Sequence, residues 1–350
     1  MRHRPLRSRS LLLTATVLTV LAVLVGVLVA PHRGAAPELT AVEQPVVLAV
    51  ESQVTARQVD VSRSIGRGLV RARSASSDTL PPYQVKPAGA PIRKLPPPPT
   101  PGTPFTFQIG TLNVLGSQHT RGSRRYGPGT SRAGMLADAI LGRGVDVVGL
   151  QEVQDDQLAV LRSRLGGYTI WPGQALGNNG VRLQIAFRND LFELVDTGSI
   201  TTVFDRQTRP VPYVLLRNRA TQGEFYVIDV HNSPRNLEAE RDAATGAEIA
   251  LVNRLRATGR PVLLVGDTNE HTEFFCRVAA ATGMVGSNGG NAAGGCSVGA
   301  GPIKIDWVMG GGGVAFSGHS VDYGAPIPAA TDHAFVHATV TVTPMVPGRG

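Results

Sequence analysis

A short apolar run followed at once by a polar turn is the feature that most constrains this chain. Residues 261–265 read Pro-Val-Leu-Leu-Val, and Gly266, Asp267, Thr268 and Asn269 follow directly. A run of leucine and β-branched residues bounded by Gly and Asp is typical of a buried strand that ends in a loop. If the backbone stays extended, Asp267 and Asn269 point to one face and could hold a phosphate or a metal-bound water. The same residue types also form ordinary turns, so this motif alone leaves both interpretations open.

An apolar strand that ends in a polar residue recurs at five further places along the chain. The polar residues at these ends are Asn113, Glu152, His231, Asp306 and the pair Asp332–His333. Taken singly, each could be a turn former, a helix-initiating carboxylate or the solvent side of a strand. Taken together they indicate one shared site, because independent coincidences at every strand end are much harder to explain.

The chemistry of these residues is coherent. Glu152, Asn113 and Asp332 offer hard oxygen ligands suited to Mg²⁺, or to Mn²⁺ or Ca²⁺, and they are too few for a closed cage. Water and a substrate phosphate would therefore complete the metal's ligand shell. The two histidines supply proton transfer near neutral pH, and the Asn269 amide can donate to a phosphoryl oxygen. The set predicts attack of water on a phosphate ester.

Hydrophobic patterns after residue 104 predict strands interleaved with a few helices. The predicted strands cover residues 105–115, 145–150, 168–171, 183–188, 191–203, 211–217, 225–231, 261–265, 303–309 and 334–342. The predicted helices cover residues 131–141, 237–257 and 273–281. About 240 residues organised in this way predict an α+β fold in which two sheets pack together with helices outside.

The first 104 residues differ from the rest in charge and composition. They hold 13 Lys and Arg against 5 Asp and Glu, whereas residues 105–350 hold 21 of each, so the net charge of +8 comes entirely from the first part. The high pI therefore says nothing about the substrate of the folded part. Residues 31–104 end in a proline run and predict a low-complexity linker, although residues 42–61 could form a small strand unit.

The N-terminus predicts export. Four arginines lie in residues 1–10, and residues 11–30 carry no charge, which is typical of a signal peptide or a signal anchor. Everything after residue 30 is then extracytoplasmic, either secreted or anchored to the membrane by residues 11–30. We expect a catalytic domain over residues 105–343 and a disordered tail over residues 344–350.

The two cysteines lie 20 positions apart and flank a Gly-rich loop. Cys276 and Cys296 could close this loop as a disulfide or could be two unrelated buried thiols. The predicted export favours the disulfide, because disulfides persist in oxidising compartments.

The strand-end motifs, taken in order, resemble the endonuclease/exonuclease/phosphatase superfamily, which includes deoxyribonuclease I and exonuclease III. The motifs are Leu112-Asn113-Val114, Leu150-Gln151-Glu152-Val153, His231-Asn232-Ser233-Pro234, Gly266-Asp267-Thr268-Asn269, Ile305-Asp306-Trp307 and Thr331-Asp332-His333. The resemblance runs from about residue 105 to 342. It implies a four-layer αββα sandwich with the site at one edge of the two sheets.

The resemblance also implies a role for each residue. Glu152 would hold the divalent metal with Asn113 nearby, and Asp267 and Asn269 would orient the nucleophile and the phosphate. His333, held by Asp306, would be the general base. His231 would contact the phosphate or protonate the leaving oxygen.

Two details place the chain nearer to the deoxyribonuclease I and sphingomyelinase branches. A histidine rather than a tyrosine stands at position 231, and the spacing of Cys276 and Cys296 resembles a disulfide of deoxyribonuclease I. One detail departs from that nuclease, because the strand at residues 181–188 lacks the glutamate expected to partner His231. Asp229 could substitute for it, or could be a solvent-facing strand residue.

An arginine-rich loop follows the first strand. Residues 121–132 hold four arginines and a tyrosine, and from them we predict Arg124 and Arg125 as substrate contacts, with Arg235 beside His231. Arginine binds phosphate with two hydrogen bonds, and tyrosine stacks on bases. The alternative is a solvated loop in an arginine-rich protein.

These observations predict an exported, metal-dependent nuclease acting on DNA or RNA. A sphingomyelinase-type enzyme, acting on lipids or small phosphate esters, is the main alternative. It would need an exposed aromatic hairpin, and the 2 Trp, 6 Tyr and 10 Phe of the chain show no such cluster. An inactive binding module of the same fold is a third possibility. No protein partner can be inferred.

Overall fold

The computed structural model of the protein describes residues 100–301 and 304–346. The predicted export segment at residues 1–30 and the linker as far as residue 99 lie outside the described residues. The described strands are β1 (Thr100–Pro101), β2 (Phe105–Asn113), β3 (Val147–Gln151), β4 (Tyr168–Trp171), β5 (Leu183–Arg188), β6 (Phe192–Phe204), β7 (Gln207–Asn218), β8 (Glu224–His231), β9 (Val262–Asp267), β10 (Val285–Gly286), β11 (Asp306–Gly311), β12 (Val314–Asp322), β13 (Phe335–Val342) and β14 (Met345–Val346). The described α-helices are α1 (Gly129–Gly142), α2 (Asp155–Arg164), α3 (Glu238–Arg256), α4 (Thr272–Thr282) and α5 (Ile327–Ala330). Short 3-10 helices lie at Ser117–His119 and Asn178–Arg182.

The strands form two mixed sheets. The first sheet has six strands in the order β12-β13-β2-β3-β5-β4. The second sheet has eight strands, in which β8 pairs with β7, β9 and β14. In each sheet one neighbouring pair is parallel, β2 with β3 and β8 with β9. Parallel neighbours end at the same edge of a sheet, and this geometry gathers the residues that follow them.

The four layers follow from which faces are apolar. Between the sheets lies a core rich in aromatics, where the Phe107 ring centroid is 5.1 Å from those of Phe192 and Phe225. Apolar residues of α1 and α2, such as Leu136 and Leu158, cover the outer face of the first sheet. Helices α3 and α4 cover the outer face of the second sheet. The predicted α+β, four-layer αββα sandwich is confirmed.

Several elements were not predicted from the sequence, and helix α2 and strand β12 are the longest of them. Helix α2 buries only three of its residues and has no long apolar stripe, so its periodicity is weak. Strand β12 is an edge strand whose register shifts between Ser317 and Ser320, around Gly318 with a φ of 59°. This bulge interrupts the alternation that marks a strand. Strand β11 begins at Asp306, three residues later than predicted, and β1 and β14 lie outside the predicted domain bounds of 105 and 343.

A disulfide joins Cys276 of α4 to Cys296, with 5.5 Å between the Cα atoms. The predicted pairing is confirmed, and it fastens the Gly-rich loop to the helix that follows Asp267. No helix in the described part of the chain is long and apolar enough to cross a membrane.

Candidate active site

Strand register places the predicted residues at one edge of the sandwich. In the second sheet Asp267 ends β9 with His231 as its register partner on β8 and Asp306 as its partner on β11. In the first sheet Asn113 ends β2 beside the end of β3, and Glu152 follows β3 directly. Three adjacent strands of one sheet and two of the other therefore present their polar residues to the same space.

The backbone at this edge is unusual in three places. Gly266 has a φ of 154°, and a β carbon there would lie 2.1 Å from the carbonyl oxygen of Val230, so only glycine lets β9 pass this close to β8. Glu152 and Asn269 have φ values of 64° and 51°, in the left-handed region that non-glycine residues seldom adopt. Such conformations collect at functional sites, where surrounding contacts hold them.

Asn113 links the two sheets. Its amide nitrogen donates to Glu152 Oε1 at 3.1 Å and to Asp267 Oδ2 at 3.0 Å. Its side-chain oxygen Oδ1 accepts from the main-chain nitrogen of Leu115 at 3.0 Å, which fixes the side chain. The fixed Asn113 side chain in turn positions both carboxylates. Glu152 Oε2 also accepts from Gly116 nitrogen at 3.0 Å. Burial opposes ionisation of Glu152, but nearby His231 and these donors lower its pKa, so it is a carboxylate at neutral pH.

His333 and Asp306 form a tight pair. The Nδ1 of His333 lies 3.0 Å and 3.1 Å from the two carboxylate oxygens of Asp306, and its Nε2 lies 3.6 Å from Asp267 Oδ2. Burial would lower the pKa of His333, but the hydrogen bond and charge of Asp306, together with Asp267, raise it to about 10. Asp306 therefore fixes the ring orientation and leaves Nε2 toward the site.

His231 is buried on the opposite side of Asp267. Its Nε2 lies 3.4 Å from Asp267 Oδ2 and 3.3 Å from the amide nitrogen of Asn269. Its Nδ1 has no hydrogen-bond partner among the described residues, and the Phe204 ring packs edge-on at 4.5 Å. Burial lowers the pKa of His231 to about 3 despite the nearby carboxylate of Glu152, so the ring is neutral.

The suggested substitution of Asp229 for the missing partner of His231 is wrong, and so is the solvent-facing alternative. Asp229 is fully buried between the sheets, and its Oδ1 accepts from the amide nitrogen of Gln151 at 2.6 Å. A β carbon on Gly149 would lie 2.5 Å from this carboxyl group, so β3 approaches β8 closely here. Burial raises the pKa of Asp229 well above its usual value.

Asp229→Asn tests this arrangement. Stability from a carboxyl with a raised pKa is complete below its unfolded pKa and is lost as the pH rises towards the folded pKa. One proton corresponds to about 1.4 kcal/mol per pH unit, and asparagine removes that dependence. We expect the variant to gain stability relative to the wild type as the pH rises above about 4, with kcat changed less than about threefold.

Urea unfolding between pH 5 and 9 and phosphoester hydrolysis measure the two effects. Asp138→Asn is the control, because its exposed carboxylate pairs only loosely with Arg164 at 3.7 Å. A tenfold or larger loss of kcat in Asp229→Asn, with stability unchanged, would mean that this carboxyl does support His231.

Other predicted residues lie further from the cluster. Asp332 is exposed, and no hydrogen bond or ion pair joins it to Glu152 or Asn113 in the described residues. Arg124 and Arg125 are exposed in the loop before α1, where the Arg125 guanidinium lies 5.0 Å from the Tyr126 ring centroid.

Arg132, which the sequence groups with the loop arginines, is fully buried. Its guanidinium donates to the carbonyl oxygens of Val114 and Ala330 at 2.9 Å and 2.8 Å and to Thr120 Oγ1 at 2.9 Å. This arginine therefore holds the loop that follows β2, and it is withdrawn from any substrate.

A basic cleft of about 120 Å³ opens beside Glu152. Its lining includes His119 and the arginines Arg182, Arg209 and the predicted Arg235. His119 Nε2 lies 3.4 Å from Glu152 Oε2, and Arg235 pairs with Asp205 at 2.7 Å.

Arg209 is the least compensated charge in this cleft. Its Nε is buried with no hydrogen-bond partner in the described part, and its guanidinium lies 3.7 Å from the Phe204 ring centroid. Burial and the neighbouring Arg182 lower the pKa of Arg209 to about 10. No motif distinguishes Arg182, Arg209 or His119 in the sequence, and only the fold brings them to Glu152.

The donor set fits a hard divalent cation. Glu152 is ionised and partly exposed, with 19% of its side-chain surface accessible. Burial and the neighbouring Asp306 raise the pKa of Asp267 to about 7, so added positive charge near this pair is stabilising. Oxygen or nitrogen atoms of Asp267, Asp306 and His333 also lie within 4.8 Å of one another. Carboxylates with one open side suit Mg²⁺, which keeps part of its water shell.

Comparisons with known proteins agree with this fold and with the family that the strand-end motifs resemble. The model of the Endonuclease/Exonuclease/phosphatase family matches residues 110–346. No curated protein sequence matches the chain significantly.

Solved structures share the fold at low identity. An endonuclease/exonuclease/phosphatase family protein from Bacteroides thetaiotaomicron is 15% identical, with a TM-score of 0.55, 71% of this chain covered and 99% of that one. TDP2 from D. rerio, complexed with a single-strand DNA product, is 16% identical, with a TM-score of 0.51 and coverages of 67% and 98%. A mannosyl-6-phosphatase from B. thetaiotaomicron is 16% identical, with a TM-score of 0.51 and coverages of 67% and 99%.

The family match covers more than half of the chain and includes every strand-end residue of the cluster. The chain therefore belongs to the endonuclease/exonuclease/phosphatase family, whose members are divalent-metal-dependent hydrolases of phosphate esters.

Proposed function

We propose that the protein is an exported phosphodiesterase that uses Mg²⁺ or a similar divalent cation, and that DNA or RNA is its substrate class. The observation that carries the proposal is the meeting of an oriented histidine, His333 on Asp306, with the carboxylates of Asp267 and Glu152 through hydrogen bonds and contacts of 3.0 to 3.6 Å. A proton acceptor and an anionic metal site side by side are what hydrolysis of a phosphate ester requires.

Each residue has a role that follows from its contacts. The cation, held by Glu152, would polarise the phosphate and offset the charge that develops on its oxygens. His333 takes the proton of the attacking water at Nε2 while Asp306 stabilises the imidazolium. A raised pKa of about 10 means that His333 is protonated in the resting site, and positive charge arriving at Glu152 and Asp267 lowers that pKa towards neutrality.

His231 and Asn269, on the other side of Asp267 from His333, would contact the phosphate. The amide nitrogen of Asn269 donates one hydrogen to the carbonyl oxygen of Asn232 at 2.9 Å and lies 3.3 Å from His231 Nε2, so its second hydrogen would be the one that reaches a phosphoryl oxygen. Neutral His231 contributes a fixed hydrogen bond rather than a charge, because burial keeps its ring unprotonated. Protonation of the leaving oxygen then falls to water or to the solvent-exposed His119.

A nucleic acid fits the surroundings better than a small ester does. Arg182, Arg209 and Arg235 line the cleft beside Glu152, and Arg124 and Arg125 are exposed in the loop before α1. Several arginine side chains can each bind one of the consecutive phosphates of a nucleic acid. The D. rerio TDP2 structure, which has the same fold, carries a single-strand DNA product.

Export rests on the sequence of residues 1–30. The Cys276–Cys296 disulfide supports it, because such bonds persist outside the reducing cytosol. Secretion and anchoring through residues 11–30 are both compatible with this proposal.

The full chain, incubated with supercoiled plasmid or single-stranded RNA in Mg²⁺ or in chelator, tests the proposal. Bis-nitrophenyl phosphate, mono-nitrophenyl phosphate and sphingomyelin vesicles serve as small-diester, monoester and lipid substrates. We expect Mg²⁺-dependent cleavage of at least one polymer, at a kcat/KM well above that for the small diester.

The other outcomes are distinct. Preference for the monoester would make the protein a phosphatase, and preference for the vesicles would make it a sphingomyelinase-type enzyme. Inactivity on every substrate, in a protein that is folded, would support the inactive binding module and overturn the enzyme proposal.

A further inference from the structure

We propose a second cation site, separate from Glu152, formed by Glu238, Glu270 and Glu273 on the outer side of the second sheet and taking a hard divalent ion such as Ca²⁺. One oxygen from each carboxylate lies within 4.8 Å of the other two. Glu238 begins α3, Glu273 lies in the first turn of α4, and Glu270 lies in the turn between β9 and α4. Oxygen ligands from three carboxylates, completed by water, are the usual Ca²⁺ environment.

Among the described residues, Glu270 is the one of the three glutamates whose buried carboxylate lacks a hydrogen-bond partner. Only 8% of its surface is exposed, and neither of its carboxylate oxygens has a hydrogen-bond partner in the described residues. The nearest cation is Arg241, whose Nε lies 4.0 Å from Glu270 Oε1 and is itself without a hydrogen-bond partner. A buried carboxylate without donors costs several kcal/mol unless a proton or a cation compensates it.

The surrounding charges leave a negative excess. Glu238, Glu270, Glu273 and Asp242 carry four negative charges, and the arginines that pair with them within the described residues, Arg241 and Arg277, carry two positive ones. Arg277 contacts Glu273 only at 4.0 Å, because its guanidinium is engaged mainly by Asp242. The remaining net charge of −2 would be neutralised by one divalent cation.

The guanidinium of Arg241 is hydrogen-bonded to groups other than Glu270. Its Nη1 donates to the carbonyl oxygens of Ser233 and Arg235 at 3.0 Å and 2.8 Å, and its Nη2 pairs with Glu238. These bonds fix the guanidinium, so it cannot turn to make a two-pronged contact with Glu270.

The site would connect to the active site through the main chain. Glu270 follows Asn269, and its carbonyl oxygen accepts from Trp307 Nε1 at 3.0 Å and Thr268 Oγ1 at 2.9 Å. A cation on Glu270 would therefore hold the turn that presents Asp267 and Asn269. The expected consequence is greater stability of this turn, without any part in the chemistry.

A proton shared by Glu238 and Glu270 is the competing explanation. Burial and Glu238 raise the pKa of Glu270 to about 7, which is how two close carboxyl groups behave when no cation separates them. The two explanations differ in one respect, because only a cation site responds to the concentration of Ca²⁺ at constant pH.

Thermal unfolding of the full chain in 0 to 10 mM CaCl₂ at pH 7.5 tests the proposal. Glu152→Gln is used as the background, so that binding through Glu152 does not contribute. We expect Tm to rise by roughly 5 °C at the highest concentration, from a Kd on the order of 10⁻⁴ M. Adding Glu270→Gln, or Glu273→Gln as a second and more exposed variant, should abolish the rise.

The matched control is Glu193→Gln, whose carboxylate is 47% exposed on β6. It should leave the Ca²⁺-dependent rise intact. The proposal is overturned if Ca²⁺ does not raise Tm in the Glu152→Gln background. It is also overturned if Glu270→Gln raises Tm without Ca²⁺ and the response to Ca²⁺ persists in both variants, which would identify the shared proton.

Discussion

Replacing His333 with alanine is expected to lower kcat by about 10² to 10⁴-fold, the range typical for loss of a general base. The reason is its position, with Nδ1 held by Asp306 at 3.0 Å and Nε2 directed towards Asp267 at 3.6 Å. KM should change little, because the ring acts on the water rather than on substrate binding. Steady-state hydrolysis of bis-nitrophenyl phosphate in saturating Mg²⁺ measures both constants.

The control for this variant is His337→Ala. His337 lies on β13, four residues further along, and packs at 5.3 Å from the Phe335 ring, away from the cluster. Asp306→Asn adds a second readout, since removing the charge that raises the pKa of His333 should move the acidic limb of the pH profile, where the base loses its proton, to lower pH. Wild-type kcat in His333→Ala would exclude it as the base.

Glu152→Gln should abolish most activity by removing the metal ligand while keeping the size of the side chain. We expect kcat/KM to fall by roughly 10³-fold, or about 4 kcal/mol of transition-state stabilisation, at fixed Mg²⁺. The Mg²⁺ concentration for half-maximal activity should rise at the same time. The fold should persist, because the one oxygen of glutamine can still accept from Gly116, as Glu152 Oε2 does at 3.0 Å, and only the hydrogen bond that Asn113 donates to Oε1 at 3.1 Å is lost.

A Mg²⁺ titration of activity, with circular dichroism to verify folding, measures this effect. Glu193→Gln again serves as the control, because it removes an exposed carboxylate that pairs only with Arg217. If Glu152→Gln kept both the wild-type rate and the wild-type Mg²⁺ midpoint, the metal would have to be held elsewhere. The group formed by Asp267, Asp306 and His333 would then be the next candidate.

Local sequence patterns were sufficient for much of the site. Each residue of the cluster directly follows or begins a strand that is apolar enough to be recognised, and parallel neighbours must end at a common edge. Asn113, Glu152, His231, Asp267 and Asp306 were all predicted in this way. The disulfide was predicted because its two cysteines flank one Gly-rich loop in a chain whose first 30 residues predict export.

Contacts between the two sheets could not be predicted. The alternation of a strand determines that Asp229 and His231 share a face, but not what the opposite sheet brings to each of them. Asp229 meets Gln151 across the core, whereas His231 meets Phe204 at 4.5 Å. The residue expected to pair with His231 is therefore absent from the surroundings of Nδ1, and the ring stays neutral.

The sequence by itself determined the family, the four-layer fold, the order of the polar strand ends and the pairing of His333 with Asp306. Only the tertiary structure decided that Arg132 is buried, that Asp332 makes no hydrogen bond or ion pair with Glu152 in the described residues, and that Arg182 and Arg209 line the cleft. The physical reason is the distance along the chain between the residues that interact. Strand ends are specified by neighbours within a few residues, whereas charges on separate strands and loops become neighbours only through the packing of one sheet on the other.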